Sequence, residues 1–224
     1  MSERSRARQQ TGPDAGRRGT LLTEAPLVGL IGPIGCGKST VAGWLRQRGA
    51  AIVDADLLTR ALMVPGAPVT EAVIGRFGEE YRRPDGSLDR AALGRLVFSD
   101  SRRLAELEAI VHPAIAGVLE AAIREADSRH PAAIVLEAVK LVEAGHAGWC
   151  DEVWLVACDP ETQLARLTGR GMADADARQR IEAQQASMAA WRAAATRVLD
   201  ADGSPAAVAA RVDRALHGVL SRRK

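Results

Sequence analysis

Gly32-Pro33-Ile34-Gly35-Cys36-Gly37-Lys38-Ser39 fits the pattern G-x-x-x-x-G-K-[ST], with Thr40 next. Each residue type has a physical task there. The glycines let the chain turn tightly, so that successive N–H groups converge on phosphate oxygens. A helix starting behind them would add the positive end of its dipole. Lys38 supplies a mobile point charge for the β- and γ-phosphates, where a forked guanidinium would fit less well. Ser39 offers a hydroxyl to Mg²⁺. Gly35, Cys36, Gly37, Lys38, Ser39 and Thr40 are therefore the expected triphosphate-binding residues. Cys36 reads as a small filler facing this loop, with reaction of its thiol toward oxidants or alkylators as the alternative.

A phosphate loop alone does not separate kinases from GTPases or motor ATPases. The chain has no N-K-x-D segment to read guanine, and 224 residues are too few for most motors. Asp54-Ala55-Asp56 supplies carboxylates at the end of a second apolar run. One of them can accept the proton of an attacking hydroxyl, and another can hold Mg²⁺ through water. The plain alternative is that Asp54 or Asp56 caps the next helix. Arg166 and Arg170, four apart on one expected helix face, could neutralise the oxygens of a phosphoryl group in flight; a solvated Arg-rich face is the alternative.

These groups need a scaffold that brings strand ends together. Leu27 to Ile31, Ala50 to Val53, Ala132 to Glu137, Glu152 to Cys158 and Arg197 to Leu199 read as five short buried strands. Helical spacing fills the intervals. A helix is expected from about Lys38 to Arg48, stopped by Gly49, and a mainly helical block from Leu57 to about Asp127. Within that block Asp89 can cap one helix and Pro113 fits the first turn of another. Asp159 is the expected cap of a further helix opening at Pro160. Arg178 to Arg197 reads as helical, and Ser204-Pro205 starts a last helix. Alternating strands and helices predict an α/β fold, a parallel sheet covered on both faces.

Bulk properties bound the rest. Thirty basic and 28 acidic residues leave a net charge of +2, too small to predict nucleic-acid or membrane binding. Of the basic residues 27 are Arg, so Lys38, Lys140 and Lys224 stand out against a strong preference for Arg. Cys36, Cys150 and Cys158 form no CxxC or Cys/His spacing, which predicts no structural disulfide, no zinc site and a reducing compartment. No apolar run is long enough to span a bilayer and no apolar signal core is seen, so a cytoplasmic protein is expected. Met1 to about Ala25 is polar and Arg-rich and reads as a disordered tail, with a targeting peptide as the alternative.

From Leu27 to Leu220 the residues resemble the dephospho-coenzyme A kinase family, which completes coenzyme A biosynthesis. The resemblance rests on the phosphate loop, on Val53-Asp54-Ala55-Asp56, and on Asp85-Gly86-Ser87-Leu88-Asp89-Arg90 with Leu93 and Val97-Phe98. Leu107-Glu108 with Ile110, His112-Pro113 and Cys150-Asp151-Glu152-Val153-Trp154 continue it. It implies a three-layer P-loop NTPase fold with a parallel five-stranded sheet. The core would span about 26–56 and 130–224, a helical substrate-binding part about 57–128, and a small lid about 166–178. It also implies transfer of the ATP γ-phosphoryl group to the ribose 3′-hydroxyl of dephospho-coenzyme A. In that pattern Asp56 is the general base, and Arg90 and His112 fall in family motifs assigned to the substrate side, with a hydrogen-bonded histidine fixing a helix start as the alternative for His112. On their own chemistry Lys38 and Arg166 are expected to be catalytic, Arg170 to join the nucleotide side, and Asp54 and Asp56 to face the substrate. Lys140, in a segment that departs from the pattern, is expected to contact a substrate phosphate, with an exposed loop lysine as the alternative. A monomer or weak oligomer is expected.

The chain departs from the family pattern at several points. Pro33 stands where Gly is usual and Cys36 where Ser is usual. Glu137-Ala138-Val139-Lys140-Leu141-Val142-Glu143 replaces D-[IV]-P-L-L-x-E, and Ala195 to Ala201 replaces A-D-x-[VI]-I-x-N. A P-loop kinase of another small hydroxyl, such as a nucleoside or sugar acid, is the second reading. A catalytically silent nucleotide-binding module is the third.

Overall fold

The computed structural model describes residues 21–222. In chain order the elements are β1 (Leu27–Ile31), α1 (Lys38–Gln47), β2 (Ala51–Asp54), α2 (Ala55–Ala61), α3 (Pro68–Phe77), α4 (Arg90–Ser99), α5 (Ser101–Asp127), β3 (Ile134–Glu137), β4 (Glu152–Ala157), α6 (Pro160–Thr168), α7 (Asp174–Ala194), β5 (Arg197–Asp200) and α8 (Pro205–Ser221). The strands form one parallel sheet in the order β2-β3-β1-β4-β5. This is the α/β architecture that the strand and helix pattern predicts.

Side-chain alternation explains why the central strands read as unbroken apolar runs. Val28 and Leu30 of β1, Val135 of β3, and Trp154 and Val156 of β4 enter one core, shared with Val41, Leu45, Val212 and Leu216 of α1 and α8. The intervening residues Leu27, Ile31, Ile134, Leu136, Val153 and Leu155 enter the opposite core, shared with Leu119 and Ile123 of α5 and Trp191 of α7. Both faces of the sheet are thus covered, as parallel strands require. Val73, Ile74, Phe77, Leu93 and Val97 build a third cluster inside the helical block. That block therefore carries a core of its own beside the sheet.

Local chemistry sets most of the boundaries. Gly49 adopts φ +85° and ends α1, its N–H bonded to the Arg46 carbonyl. Asp89 accepts from the Ala91 and Ala92 N–H groups at the start of α4, and Asp100 caps α5 in the same way. Other expectations need correction. Pro113 does not open a helix; it lies inside the 27-residue α5. Its missing N–H leaves the Ala109 carbonyl without a helical donor, which is tolerable because Pro113 is exposed and water can serve instead. Asp159 occupies the N-cap position of α6 but makes no side-chain cap; its own N–H donates to Asp202 Oδ2 at 2.8 Å. Helix α7 begins at Asp174, ahead of the expected Arg178.

Residues 1–20 of the expected tail lie outside the described residues. Its last residues are packed: Ala25 is buried, and the Asp127 carboxylate accepts from the N–H groups of Glu24 and Ala25, both at 2.9 Å. The expectation of no disulfide also fails. Cys36 and Cys158 are bonded, with Cα atoms 5.3 Å apart. They are 122 residues apart in sequence, so no short-range spacing could have signalled the pair. Parallel pairing of β1 with β4 brings the segments behind the two strands together.

Candidate active site

The phosphate loop follows β1 directly, and its shape depends on glycine at two places. Gly32 has φ +150°, and a Cβ there would lie 2.4 Å from the Val156 carbonyl oxygen of the neighbouring strand. Gly35 has φ +82° and sits against Leu167 and the Gln163 carbonyl of α6. A Cβ at Gly32 would displace backbone, and at Gly35 both the left-handed conformation and the close Leu167 side chain disfavour one. Pro33, the first departure from the family pattern, lies in the loop between them.

Two glutamines clasp the loop from outside. Gln163, buried on α6, donates through Nε2 to the Ile34 carbonyl at 2.7 Å. Gln184 of α7 accepts from the Ile34 N–H at 2.8 Å. Nothing in the local sequence signals either, because both act from elements more than a hundred residues away. With the Cys36–Cys158 bond they tie the loop to the base of α6 and to α7.

Lys38 begins α1, where Gly37 in a left-handed conformation supplies the N-cap. Its Nζ donates to the Gly32 carbonyl at 2.7 Å, so the ammonium lies across the mouth of the loop. Burial pulls its pKa below the ordinary lysine value, while the negative charges of Glu137 and Asp56 push back. Glu137 ends β3 and pairs in register with Asp54 on one side and Leu30 on the other. Burial raises its carboxyl above the usual range; Lys38 opposes that shift, and Asp54 and Asp56 add to it. Lys38, Asp56, Glu137 and Asp54 therefore form one electrostatic cluster at the carboxyl ends of β1, β2 and β3, where ligands of open parallel sheets bind.

Within the cluster Asp54 and Asp56 differ. Asp54 accepts from the Leu57 N–H at 2.9 Å and so caps α2, as the plain alternative had it. Asp56 lies in the first turn of that helix, half-buried, with its charge felt at Lys38. Glu137 was singled out only as a departure from the family pattern. The register of β3 against β2 is what makes it part of the site.

Arg166 of α6 donates to the Ala201 carbonyl at 2.8 Å and to the Cys36 carbonyl at 3.4 Å. Arg170 is not on the same helix, since α6 ends at Thr168; it lies in the following turn. Both still line one cavity of about 160 Å³ with Thr40, Trp44, Ala201 and Gly203. Trp44 of α1 is thus beside the loop.

The remaining expected residues are more scattered. Arg90 opens α4, His112 sits mid-way along α5, and Lys140 lies in the turns after β3; all three are exposed. Among the described residues, no hydrogen bond or ion pair joins any of them to Lys38 or Asp56.

The donors available around Ser39 are a hydroxyl and carboxylates, hard oxygen ligands of the kind Mg²⁺ accepts. Among the described residues no cluster of His, Cys, Asp or Glu could hold a metal ion by itself.

Comparison with known proteins identifies the family. The family model described as dephospho-CoA kinase matches residues 26–207. A dephospho-CoA kinase of Symbiobacterium thermophilum is 44% identical over 190 residues, 84% of this chain and 79% of that protein. One of Geobacter metallireducens is 47% identical over 159 residues, 70% of this chain and 79% of that protein. A crystal structure of a Thermus thermophilus protein superposes with a TM-score of 0.66 at 34% identity, covering 88% of this chain and 97% of its own. With its phosphate loop, parallel sheet and matched length, the chain belongs to the dephospho-CoA kinase family of ATP-dependent kinases.

Proposed function

We propose that the chain transfers the γ-phosphoryl group of ATP to the ribose 3′-hydroxyl of dephospho-coenzyme A, giving coenzyme A and ADP. The observation that carries this reading is Lys38, folded across a glycine-shaped loop and charge-coupled to Asp56. Triphosphate oxygens meet the loop N–H groups, the N-terminus of α1 and the Lys38 ammonium, which together offset charge that builds during transfer. Asp56 accepts the proton of the attacking hydroxyl, and alignment of the two reactants supplies much of the remaining rate.

Arg166 and Arg170 leave carbonyl and cavity positions to neutralise the equatorial oxygens of the moving phosphoryl group. The segment of about 166–178 acts as the lid and the helical part of about 57–128 receives the acceptor. Arg90, His112 and Lys140 are the acceptor-side residues, with Asp54 beside them. Adenine fits the cavity between Trp44, Arg170 and Gly203, next to the loop. Mg²⁺ would be held by Ser39, with Asp54 or Asp56 through water, and would offset phosphate charge.

The work is assigned to the cytoplasm, to a monomer or weak oligomer, and involves neither nucleic acid nor membrane. A net charge of +2 gives no strong attraction to nucleic acid or to an anionic membrane surface. The test is ADP release from Mg-ATP with dephospho-coenzyme A, run beside nucleosides and sugar acids. Turnover confined to dephospho-coenzyme A is expected. Turnover on a nucleoside or sugar acid instead, or on nothing, would overturn the assignment.

A further inference from the structure

Cys36 and Cys158 are joined at a place where a covalent bond has mechanical consequences. Cys36 lies in the phosphate loop and is fully buried, and its carbonyl accepts from Arg166. Cys158 follows β4 by one residue and precedes Asp159-Pro160, where α6 begins. The bond therefore runs from the phosphate loop to the root of the helix that carries Arg166. It runs beside the Gln163–Ile34 hydrogen bond, which ties the same two segments.

We infer that Cys36 and Cys158 form a reversible redox modification site, opened and closed by thiol–disulfide exchange with low-molecular-weight thiols and disulfides, and that closure tightens nucleotide binding. The two sulfurs differ in access. Cys36 has no exposed surface, whereas Cys158 is only partly buried and lines a cavity of about 210 Å³ with Pro33, Gln163, Gln184, Met188 and Arg192. The order of events follows from that difference. The Cys158 thiolate attacks one sulfur of the external disulfide and displaces a small thiolate, leaving a mixed disulfide. The Cys36 thiolate then attacks the Cys158 sulfur and displaces the second small thiolate. Two protein thiols are oxidised, one external disulfide is reduced to two thiols, and the two protons go to the released thiolates. Reduction reverses each step, starting at Cys158.

Cys150 takes no part. Burial pushes its thiol up to about 12, its sulfur faces the His146 carbonyl, and it lies at the other end of β4.

The direction of the effect comes from the loop's shape. With the bond closed, Gly35 and Gly37 already hold left-handed conformations and Lys38 already spans the loop. The bond is thus compatible with the phosphate cradle and removes freedom that an open loop would lose on binding, which favours association. This inference rests on the nucleotide reading of the loop.

The test uses the full chain poised with glutathione and glutathione disulfide over a range of ratios. Thiols are counted after unfolding, and ADP binding is titrated by calorimetry on the same samples. The count is expected to fall from the three cysteines of the sequence to Cys150 alone as the buffer becomes oxidising. The ADP dissociation constant is expected to fall about fivefold in the closed form. C158S should bind ADP like the reduced protein at every ratio. Three thiols persisting at all ratios would overturn the site. An unchanged or weaker ADP affinity in the closed form, or a response retained in C158S, would overturn the coupling. Failure of either form to bind ADP, with the thiol count still changing, would sink the nucleotide reading and the coupling but leave the redox pair standing.

Discussion

Asp54 and Glu137 stand opposite each other in register at the carboxyl ends of β2 and β3, and the Glu137 charge reaches the Lys38 ammonium from there. Lys38 is thus placed where burial discourages its charge and carboxylates oppose that effect. That balance is testable.

In Glu137→Gln one of the two charges that raise the Lys38 pKa is gone, while burial still lowers it. Deprotonation of Lys38 then begins at lower pH. The alkaline limb of kcat/KM, which reports the free enzyme, is expected to move toward neutrality, with the acid limb little changed. An alkaline limb in its original place would show that Glu137 does not support the lysine.

Arg166 bonds two carbonyls, those of Cys36 and Ala201, and so is held at the loop before any phosphate arrives. Arg166→Ala is expected to lower kcat by about 10²-fold or more, with a smaller change in ADP affinity, because the guanidinium matters most when charge spreads in transfer. Steady-state kinetics beside ADP titration separates the two. Equal losses in kcat and ADP binding would assign Arg166 to ground-state binding instead.

At the opposite end of the sheet Glu152 is buried and accepts from Trp154 Nε1 at 2.5 Å and Arg197 Nε at 3.4 Å, with Arg222 also paired to it. Glu152→Ala removes the acceptor shared by an indole N–H and two guanidinium groups. A loss of about 2–3 kcal/mol in urea unfolding is expected, with activity per folded molecule unchanged. A loss under about 0.5 kcal/mol would mean that water replaces the carboxylate without penalty.

The fold was largely legible because its signals are local. Continuous apolar runs marked the buried strands, Gly49 marked the end of α1, and Asp89 marked the start of α4. The phosphate loop was legible for the same reason, being eight consecutive residues with one task each. What escaped depends on strand order, which no short window contains. Glu137 joins the site only because β3 lies between β2 and β1. Gln163 and Gln184 reach Ile34 from the far side of the chain, and Cys158 meets Cys36 across the β1–β4 pairing. Pro113 misled because it has the right chemistry for a helix start, yet α5 runs through it at an exposed position. Asp159 does stand at the N-cap of α6, but its side chain makes no capping bond.

The central claim is that a triphosphate gripped by this loop faces an aspartate that takes the proton from the acceptor hydroxyl. Asp56→Asn keeps the shape of that side chain and removes its basicity, so turnover with dephospho-coenzyme A, measured beside the ADP dissociation constant, tests the claim directly. The account predicts a fall in kcat of about 10³-fold with ADP affinity within about twofold of wild type. Turnover close to wild type in Asp56→Asn would contradict it.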